Sequence, residues 1–178
     1  MDTTLQTEAL FSDIASHVID ELAEYSKNEN LNQGLFTGFF GIEYIGRFHP
    51  GDLIILGGRP SMGKTTLGLN IAMNVSKDML TNQNYGSAVA FFSLEMSKEQ
   101  LIQKALSAES GVARDRIRKG TLSLNDFTLL TKAREDCRNL PLIVNDSPEM
   151  NISSLRREVT YLKRKKILDS SSLIVFSC

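Results

Sequence analysis

The sequence predicts an α/β fold with a largely parallel sheet. Short apolar runs bounded by turn residues alternate with segments of helical length and periodicity, and a glycine-rich loop joins one apolar run to the helix after it. With 178 residues, 42% of them hydrophobic, the chain has room for one domain with a core and one appended element. We therefore divide it into an N-terminal helix and link, residues 1–33, and an α/β domain, residues 34–178.

Bulk composition excludes several classes of protein. The formal charge of −1 gives no general attraction to nucleic acid, although it does not exclude a local site. Cys137 and Cys178 stand far apart and form no CxxC pattern, which indicates reduced thiols and no zinc site. The first residues include Asp2, Glu8 and Asp13 where a signal peptide needs a basic start and an apolar run. We expect a cytoplasmic protein without a membrane partner.

Residues 5–27 have the pattern of an amphipathic helix. Leu10, Ile14, Val18 and Leu22 recur every four residues, and acidic residues occupy the opposite side. A polar, turn-rich link follows. Because nothing else in the chain clearly provides a partner for this apolar stripe, we expect the helix to project from the domain or to pack on a second subunit.

Four apolar runs are predicted to form buried strands, and four segments between them are predicted to form helices. One helix start is marked by Ser97 and Gln100, which have the spacing of a capping box. Another helix is expected to take Ser153 or Ser154 as its cap. The predicted strands are 52–57, 88–92, 141–144 and 172–176, and the predicted helices are 66–77, 98–108, 125–138 and 153–166.

The strongest chemical signal is a loop that fits the pattern G-x-x-x-x-G-K-[ST] between a predicted strand and a predicted helix, which is the context of a P-loop. Backbone N–H groups of such a loop and of the helix N-terminus bind phosphate oxygens. Lys64 is expected to place its charge against the β- and γ-phosphates, and Thr65 to ligate Mg²⁺. The predicted nucleotide-binding residues are Gly58, Arg59, Pro60, Ser61, Met62, Gly63, Lys64, Thr65 and Thr66.

Two carboxylates at predicted strand ends are candidates for further roles. Glu95 follows the 88–92 strand and is placed either to activate a water molecule or to interact with the dipole of the next helix. Asp146 follows the 141–144 strand and is either a Mg²⁺ ligand or a turn residue. Two basic segments, 114–119 and 156–166, are interpreted as solvated helix surface rather than as phosphate contacts.

Taken together, these motifs resemble those of the DnaB-type replicative DNA helicases, which are hexameric RecA-like motors. The resemblance covers about residues 34–176. The segments that carry it are Thr37-Gly38-Phe39, His49-Pro50-Gly51-Asp52-Leu53, the P-loop 58–66, Phe92-Ser93-Leu94-Glu95-Met96 and Arg116-Ile117-Arg118-Lys119-Gly120.

The resemblance implies a RecA-like P-loop NTPase core that uses ATP and Mg²⁺, with Glu95 as the catalytic base and Lys64 as a catalytic charge. It implies DNA as the substrate, and primase or a helicase loader as further partners. The helix at 5–27 stands where the family has a linker helix that packs on the neighbouring subunit of the hexamer. Asp146 loses the metal role, because the family's metal-binding aspartate follows the next strand.

The sequence departs from the family at that aspartate, where it has Ser177. The parts that follow in the family are not found, and we interpret residues 34–178 as the first half of a truncated ATPase domain. A family strand that normally lies between 52–57 and 172–176 is then missing. Either these two segments pair directly or a gap remains between them, and we expect the gap.

Three hypotheses of function follow. The first is a replicative DNA helicase fragment that binds ATP and Mg²⁺ and is inactive alone. The second is a non-catalytic nucleotide-binding or interfering module that docks on intact helicase through its N-terminal helix. A third, weaker hypothesis is a RecA-family DNA-dependent ATPase with another role, such as recombination.

Overall fold

The computed structural model describes residues 10–27, 34–81, 88–147, 150–169 and 172–177, and it divides the chain into two units, 1–34 and 35–178. The described part of the first unit contains one helix, and the described part of the second unit alternates helices with strands. The described helices are α1 (Phe11–Lys27), α2 (Phe40–Ile45), α3 (Lys64–Thr81), α4 (Lys98–Ser110), α5 (Arg114–Lys119), α6 (Leu124–Asp136) and α7 (Ile152–Arg164), and the strands are β1 (Val89–Ser93), β2 (Leu142–Asn145) and β3 (Ile174–Ser177).

The three strands form a parallel sheet in the order β2-β1-β3. In the centre, Phe91 lies opposite Val144 of β2 and opposite Val175 of β3. Every residue of β1 is buried, as expected for a parallel strand covered on both faces. The predicted parallel α/β architecture is confirmed.

Alternate residues of β1 enter two separate apolar clusters. Val89 and Phe91 pack with α3 and with Leu101 and Ala105 of α4. Ala88, Ala90 and Phe92 lie in the cluster on the opposite side, and that cluster includes residues of α7 and of the loop after it. The unit is therefore a sheet between two layers of helices, because the period of two along β1 supplies an apolar surface to each side.

Residues 37–43 are joined to α3 by a partly buried hydrogen-bond network. Thr37 is fully buried, and both its N–H and its hydroxyl donate to Glu43 Oε1 at 2.7 Å. Asn74 of α3 donates to the carbonyl of Thr37 at 2.8 Å. Gly38 has φ of 77°, and a Cβ at this position would lie 2.3 Å from the Asn74 amide nitrogen. Only glycine fits here, because both the backbone conformation and the available space exclude a side chain.

Helix α1 confirms the predicted amphipathic helix over Phe11–Lys27, while residues 5–9 of that prediction lie outside the described part of the chain. The stripe residues are at its surface, with exposed fractions between 44% for Val18 and 72% for Leu10. No helix in the described ranges combines the length and the apolar character needed to cross a bilayer. Cys137 is a free thiol, and burial raises its pKa, whereas Cys178 is outside the described residues.

The prediction of a strand at 52–57 is wrong. These residues are described and form neither strand nor helix, and Leu53 and Ile55 are 86% and 83% exposed. They lie across a cleft of about 520 Å³ from β3, and no pairing joins the two segments. Of the two outcomes considered for these segments, direct pairing or a gap between them, the gap is the one that we expected. A strand needs a neighbour to accept its backbone hydrogen bonds, so apolar composition alone does not hold this segment extended.

Two further details differ from the sequence predictions. Helix α7 is capped by Asn151, not by Ser153 or Ser154: the Asn151 side chain accepts from the Ser154 N–H, and the Ser154 hydroxyl accepts from the Asn151 N–H in return. Sequence reasoning also missed the short helix α2, and it interpreted 114–119 as helix surface without including α5 among the predicted helices. By contrast, the capping box predicted from Ser97 and Gln100 is present at the start of α4.

The corner between α5 and α6 is held by one carboxylate. Asp126 accepts hydrogen bonds from the Ser123 N–H and hydroxyl, both at 2.7 Å, and it also pairs with the Arg116 guanidinium. The backbone bond from Ser123, its hydroxyl and the nearby Arg116 together outweigh the effect of burial and lower the pKa of the Asp126 carboxyl.

We predict that Asp126→Asn lowers the thermal midpoint at pH 7 and that this difference shrinks as the pH falls. A carboxyl whose pKa is lowered by folding stabilises the protein above its unfolded pKa of about 3.9, and this contribution is lost as the pH falls through the folded pKa. Thermal unfolding of both proteins at pH 7 and at pH 3 tests this, with Asp136→Asn at the exposed end of α6 as the control. An equal deficit at both pH values would contradict the prediction.

Candidate nucleotide-binding site

The predicted P-loop forms an exposed turn that leads into α3. Residues 58–63 are exposed, and the chain reverses through two residues with positive φ, Ser61 at 64° and Gly63 at 84°. For Gly63 this conformation costs nothing, whereas for Ser61 it is uncommon. A backbone held in such a conformation in an exposed loop points to a functional constraint on its shape.

The loop places free hydrogen-bond donors at the start of α3. Within the described part of the chain, the backbone N–H groups of Lys64, Thr65 and Thr66 have no acceptor, as is usual in the first turn of a helix. The Lys64 ammonium donates back to the carbonyl oxygens of Gly58 at 3.1 Å and of Arg59 at 3.5 Å. The helix dipole, three free N–H groups and one ammonium at a single exposed turn suit a phosphate group.

Thr65, the candidate metal ligand, contacts the end of β3. The Ser177 hydroxyl donates to Thr65 Oγ1 at 3.0 Å. Both residues, with Lys64, line the 520 Å³ cleft that also runs along residues 52–56. The position at which the sequence departs from the helicase pattern is therefore in direct contact with the P-loop helix, and it carries a hydroxyl.

Glu95 lies in the exposed turn between β1 and α4, and a lysine of α4 contacts the P-loop helix. Lys104 of α4 donates to Thr66 Oγ1 at 3.2 Å. Burial is the largest influence on Lys104 and lowers its pKa, Arg114 lowers it further, and Glu95 acts in the opposite direction. Glu95, Lys104 and the first turn of α3 thus form one charged group at the carboxyl end of the sheet.

Asp146 makes a structural contact that differs from both roles, Mg²⁺ ligand and turn residue, that the sequence left open. Its Oδ2 accepts the N–H of Lys98 at 2.9 Å, and the Lys98 ammonium lies 3.9 Å from Oδ1. A carboxylate at the first residue of α4 stabilises the helix through its free N–H groups and its dipole. The structure therefore uses Asp146 to join the end of β2 to the start of α4.

Sequence reasoning missed Lys104 altogether. A signal was available, because Lys104 stands beside the buried positions Leu101 and Ala105 on the helix that follows Glu95. A lysine at the border of an apolar helix surface is partly desolvated, which makes its charge sensitive to neighbours.

The layered parallel sheet, with its loop and helix at the carboxyl edge, is a RecA-like ATPase fold. The chain superposes on a solved ATPase domain with a TM-score of 0.73 over 95% of this chain and 56% of that one, at 18% identity. A DnaB-like replicative helicase, solved in a study of its interactions with primase, gives a TM-score of 0.71 over 95% of this chain and 38% of that one, at 19% identity.

Sequence comparison places the chain more narrowly. It belongs to the DnaB-like helicase C-terminal domain family, whose model matches residues 34–176. It is 37% identical over 161 residues to a probable replicative DNA helicase of Trieres chinensis, covering 89% of this chain and 34% of that protein. It is 34% identical over 166 residues to the replicative DNA helicase DnaB of Rickettsia bellii, covering 89% and 33%. The chain thus spans about a third of the length of these curated relatives.

We predict that the pKa of Lys104 responds in opposite directions to two substitutions. Arg114→Gln should raise it by removing a like charge, and Glu95→Gln should lower it by removing an opposite charge. The measurement is an NMR titration of the protein with ¹³C-methylated lysines. Arg118→Gln, which removes a cation that pairs with Asp115, serves as the control and should leave the Lys104 titration in place. Shifts of the same sign in the two variants would show that the cluster is not arranged as described.

Proposed function

We propose that this chain is a nucleotide-binding part of a replicative DNA helicase, and that residues 58–66 bind ATP with Mg²⁺. The main support for the proposal is the first turn of α3. There the free backbone N–H groups of Lys64, Thr65 and Thr66 and the Lys64 ammonium lie at one exposed turn. Membership of the helicase family supports ATP as the nucleotide. The loop alone would fit any triphosphate, because it contacts phosphates and not a base.

Each residue of the site has a distinct role in this proposal. Lys64 exchanges its bonds to the Gly58 and Arg59 carbonyls for phosphate oxygens, since a charged acceptor binds an ammonium more strongly than a neutral carbonyl does. Thr65 offers its hydroxyl to the metal. Glu95 orients and deprotonates the attacking water. Bound Mg²⁺ would neutralise charge on the phosphates during transfer.

Lys104 positions the site and does not take part in the chemistry. Its bond to Thr66 holds the first turn of α3, and its charge lies near Glu95. Lys104 therefore joins the first turn of α3 to α4, the helix that follows Glu95.

Ser177 makes the proposed enzyme slow. Mg²⁺ prefers carboxylate oxygens, and the side chain that contacts Thr65 at the end of β3 is a neutral hydroxyl. The hydroxyl neither contributes negative charge to the metal nor accepts bonds from its water ligands as strongly as a carboxylate. We therefore propose nucleotide binding with turnover near background.

Helix α1 supports a second part of the proposal, which concerns assembly. Its apolar stripe is exposed along the length of the helix, and an exposed stripe of this kind marks an interaction surface. We propose that α1 packs on another helicase subunit. The chain would then enter a hexamer on DNA, within reach of primase or a loader, or would interfere with one assembled from intact subunits.

Lys64→Ala should weaken ATP binding by about 10- to 100-fold, because a charged hydrogen bond contributes roughly 1.5–3 kcal/mol. Titration calorimetry with ATP and Mg²⁺ measures this. Lys77→Ala is the matched control: it removes the same side chain from the same helix, but Lys77 pairs with Glu109 and not with the loop. Equal affinity of Lys64→Ala and the unsubstituted chain would exclude residues 58–66 as the phosphate site.

Ser177→Asp should strengthen the Mg²⁺-dependent part of ATP binding and raise ATP turnover above background. The aspartate would supply a carboxylate next to Thr65, where the structure has the serine hydroxyl. Phosphate release measured with and without Mg²⁺ tests this, and Ser177→Asn separates the charge from the size of the side chain. Glu95→Gln in the Ser177→Asp background should return turnover to background. If Asn and Asp have the same effect, Ser177 does not lie at the metal.

A further inference from the structure

Met62 is the exposed methionine of the described part of the chain. Its side chain lies at the surface of the glycine-rich loop and is 74% exposed. The other methionines in the described ranges are covered. Met73 and Met79 of α3 are buried, and Met96 and Met150 each pack against one of the two apolar clusters. A reagent dissolved in the solvent therefore reaches Met62 more easily than it reaches these four.

The position of Met62 ties its side chain to the candidate phosphate site. Its backbone N–H donates to the carbonyl of Arg59 at 3.3 Å, and the two residues beside it, Ser61 and Gly63, have positive φ. Lys64 follows two residues later. The side chain belongs to neither apolar cluster, so the core does not use its apolar character. A chemical change at Met62 would thus act on the loop and leave the core intact.

The thioether of an exposed methionine reacts with hydroperoxides. The sulfur attacks one oxygen of hydrogen peroxide, the O–O bond breaks, and the products are methionine sulfoxide and water. The sulfur is oxidised by two electrons and the peroxide is reduced. The reaction converts a flexible apolar side chain into a polar one that carries a hydrogen-bond acceptor.

An acceptor at this position opposes phosphate binding. The sulfoxide oxygen is partly negative, and it would compete with phosphate oxygens for the Lys64 ammonium and for the free N–H groups of the first turn of α3. Lys64 already donates to two neutral carbonyls of the loop, at 3.1 and 3.5 Å. Methionine has three rotatable bonds, so its oxidised side chain adapts to donors nearby. The oxidised loop would therefore satisfy its own donors and leave fewer for a ligand.

We propose that Met62 is a redox-sensitive modification site, at which oxidation to the sulfoxide by a hydroperoxide lowers the affinity of the loop for nucleotide. The inference rests on the proposed function, because it takes residues 58–66 as the ATP site. The modification is reversible. Methionine sulfoxide reductases return the oxygen to water, with a dithiol as the reductant that becomes a disulfide.

The two cysteines are the competing targets of a peroxide. Cys137 is half-buried, and burial raises the pKa of its thiol, which leaves little of the reactive thiolate. Cys178 lies outside the described residues. Disulfides and sulfenic acids are reduced by dithiothreitol alone, whereas methionine sulfoxide needs a reductase. The reagent that restores binding therefore separates the two kinds of residue.

The test exposes the whole chain to limited hydrogen peroxide and measures two quantities. Peptide mass spectrometry follows the oxidation of each methionine, and Met62 should be oxidised before Met96 and Met150. Titration calorimetry with ATP and Mg²⁺ compares each protein with its own unoxidised form. Oxidation should weaken binding roughly three- to tenfold, the range for competition by one neutral hydrogen bond. Reductases with dithiothreitol should restore the affinity, and dithiothreitol alone should not.

Three variants assign the effect to one residue. In Met62→Leu, which has no sulfur to oxidise, peroxide should leave the affinity at its value before treatment. Met150→Leu is the matched control and should remain as sensitive as the unsubstituted chain. Met62→Gln places a polar acceptor in the loop without oxidation, and it should bind ATP more weakly than Met62→Leu.

Several results would overturn the inference. One is oxidation of Met96 or Met150 as fast as that of Met62. Another is complete oxidation of Met62 with unchanged ATP affinity, which would make it a surface lesion without consequence. A loss that persists in Met62→Leu, or that dithiothreitol alone reverses, would assign the effect to another residue. Absence of ATP binding before any oxidation would instead refute the proposed function, while the order of methionine oxidation would still be measured.

Discussion

Burial of β1 on both faces, with pairing along both edges, is the constraint on which the rest of the domain depends. Phe91 and Phe92 are almost fully inaccessible and point into different layers, so α3 and α4 on one side and α7 on the other are all positioned by one five-residue strand. A side chain changed in β1 would therefore alter two helix layers at once. Because a parallel strand directs its carboxyl end to one edge of the sheet, β1 also fixes where Glu95 emerges.

The candidate site is a consequence of that edge. The end of β3 brings Ser177 to Thr65, the end of β2 brings Asp146 to the start of α4, and α4 in turn carries Lys104 to Thr66. The first two contacts join a strand end to a helix start, where free backbone N–H groups and short polar side chains lie together, and the third joins the middle of α4 to the start of α3. The site is thus assembled from groups that stabilise the fold, and phosphate binding would use donors that folding leaves free.

Much of this was predictable from local pattern, and the failures share a cause. The strands at 88–92 and 141–144, the helix that follows the glycine-rich loop and the cap at Ser97 are encoded within a few residues, and each was found. The segment 52–57 has the composition of a strand but lacks a neighbour along its edge, which no local pattern reveals. Lys104 becomes part of the site only through its interactions with Thr66 and Glu95. Asn151, and not Ser154, is the N-cap of α7, because Asn151 and Ser154 each accept a hydrogen bond from the backbone N–H of the other.

The charges show the same difference between composition and arrangement, because the net charge of the chain does not reveal which charged side chains are paired. The chain has 20 lysines and arginines against 21 acidic residues, so its net charge is close to zero and suggests no polyanion partner. The structure shows that acidic and basic side chains are paired in some segments and not in others. On α5 the single acid, Asp115, lies within the basic segment and pairs with Arg118 and Lys119, whereas on α7 the single acid, Glu158, lies nearer the core side and makes no such pair. Local potential depends on which charges are paired, and an average over the chain conceals a basic surface that has no acidic partner among the described residues of its own unit.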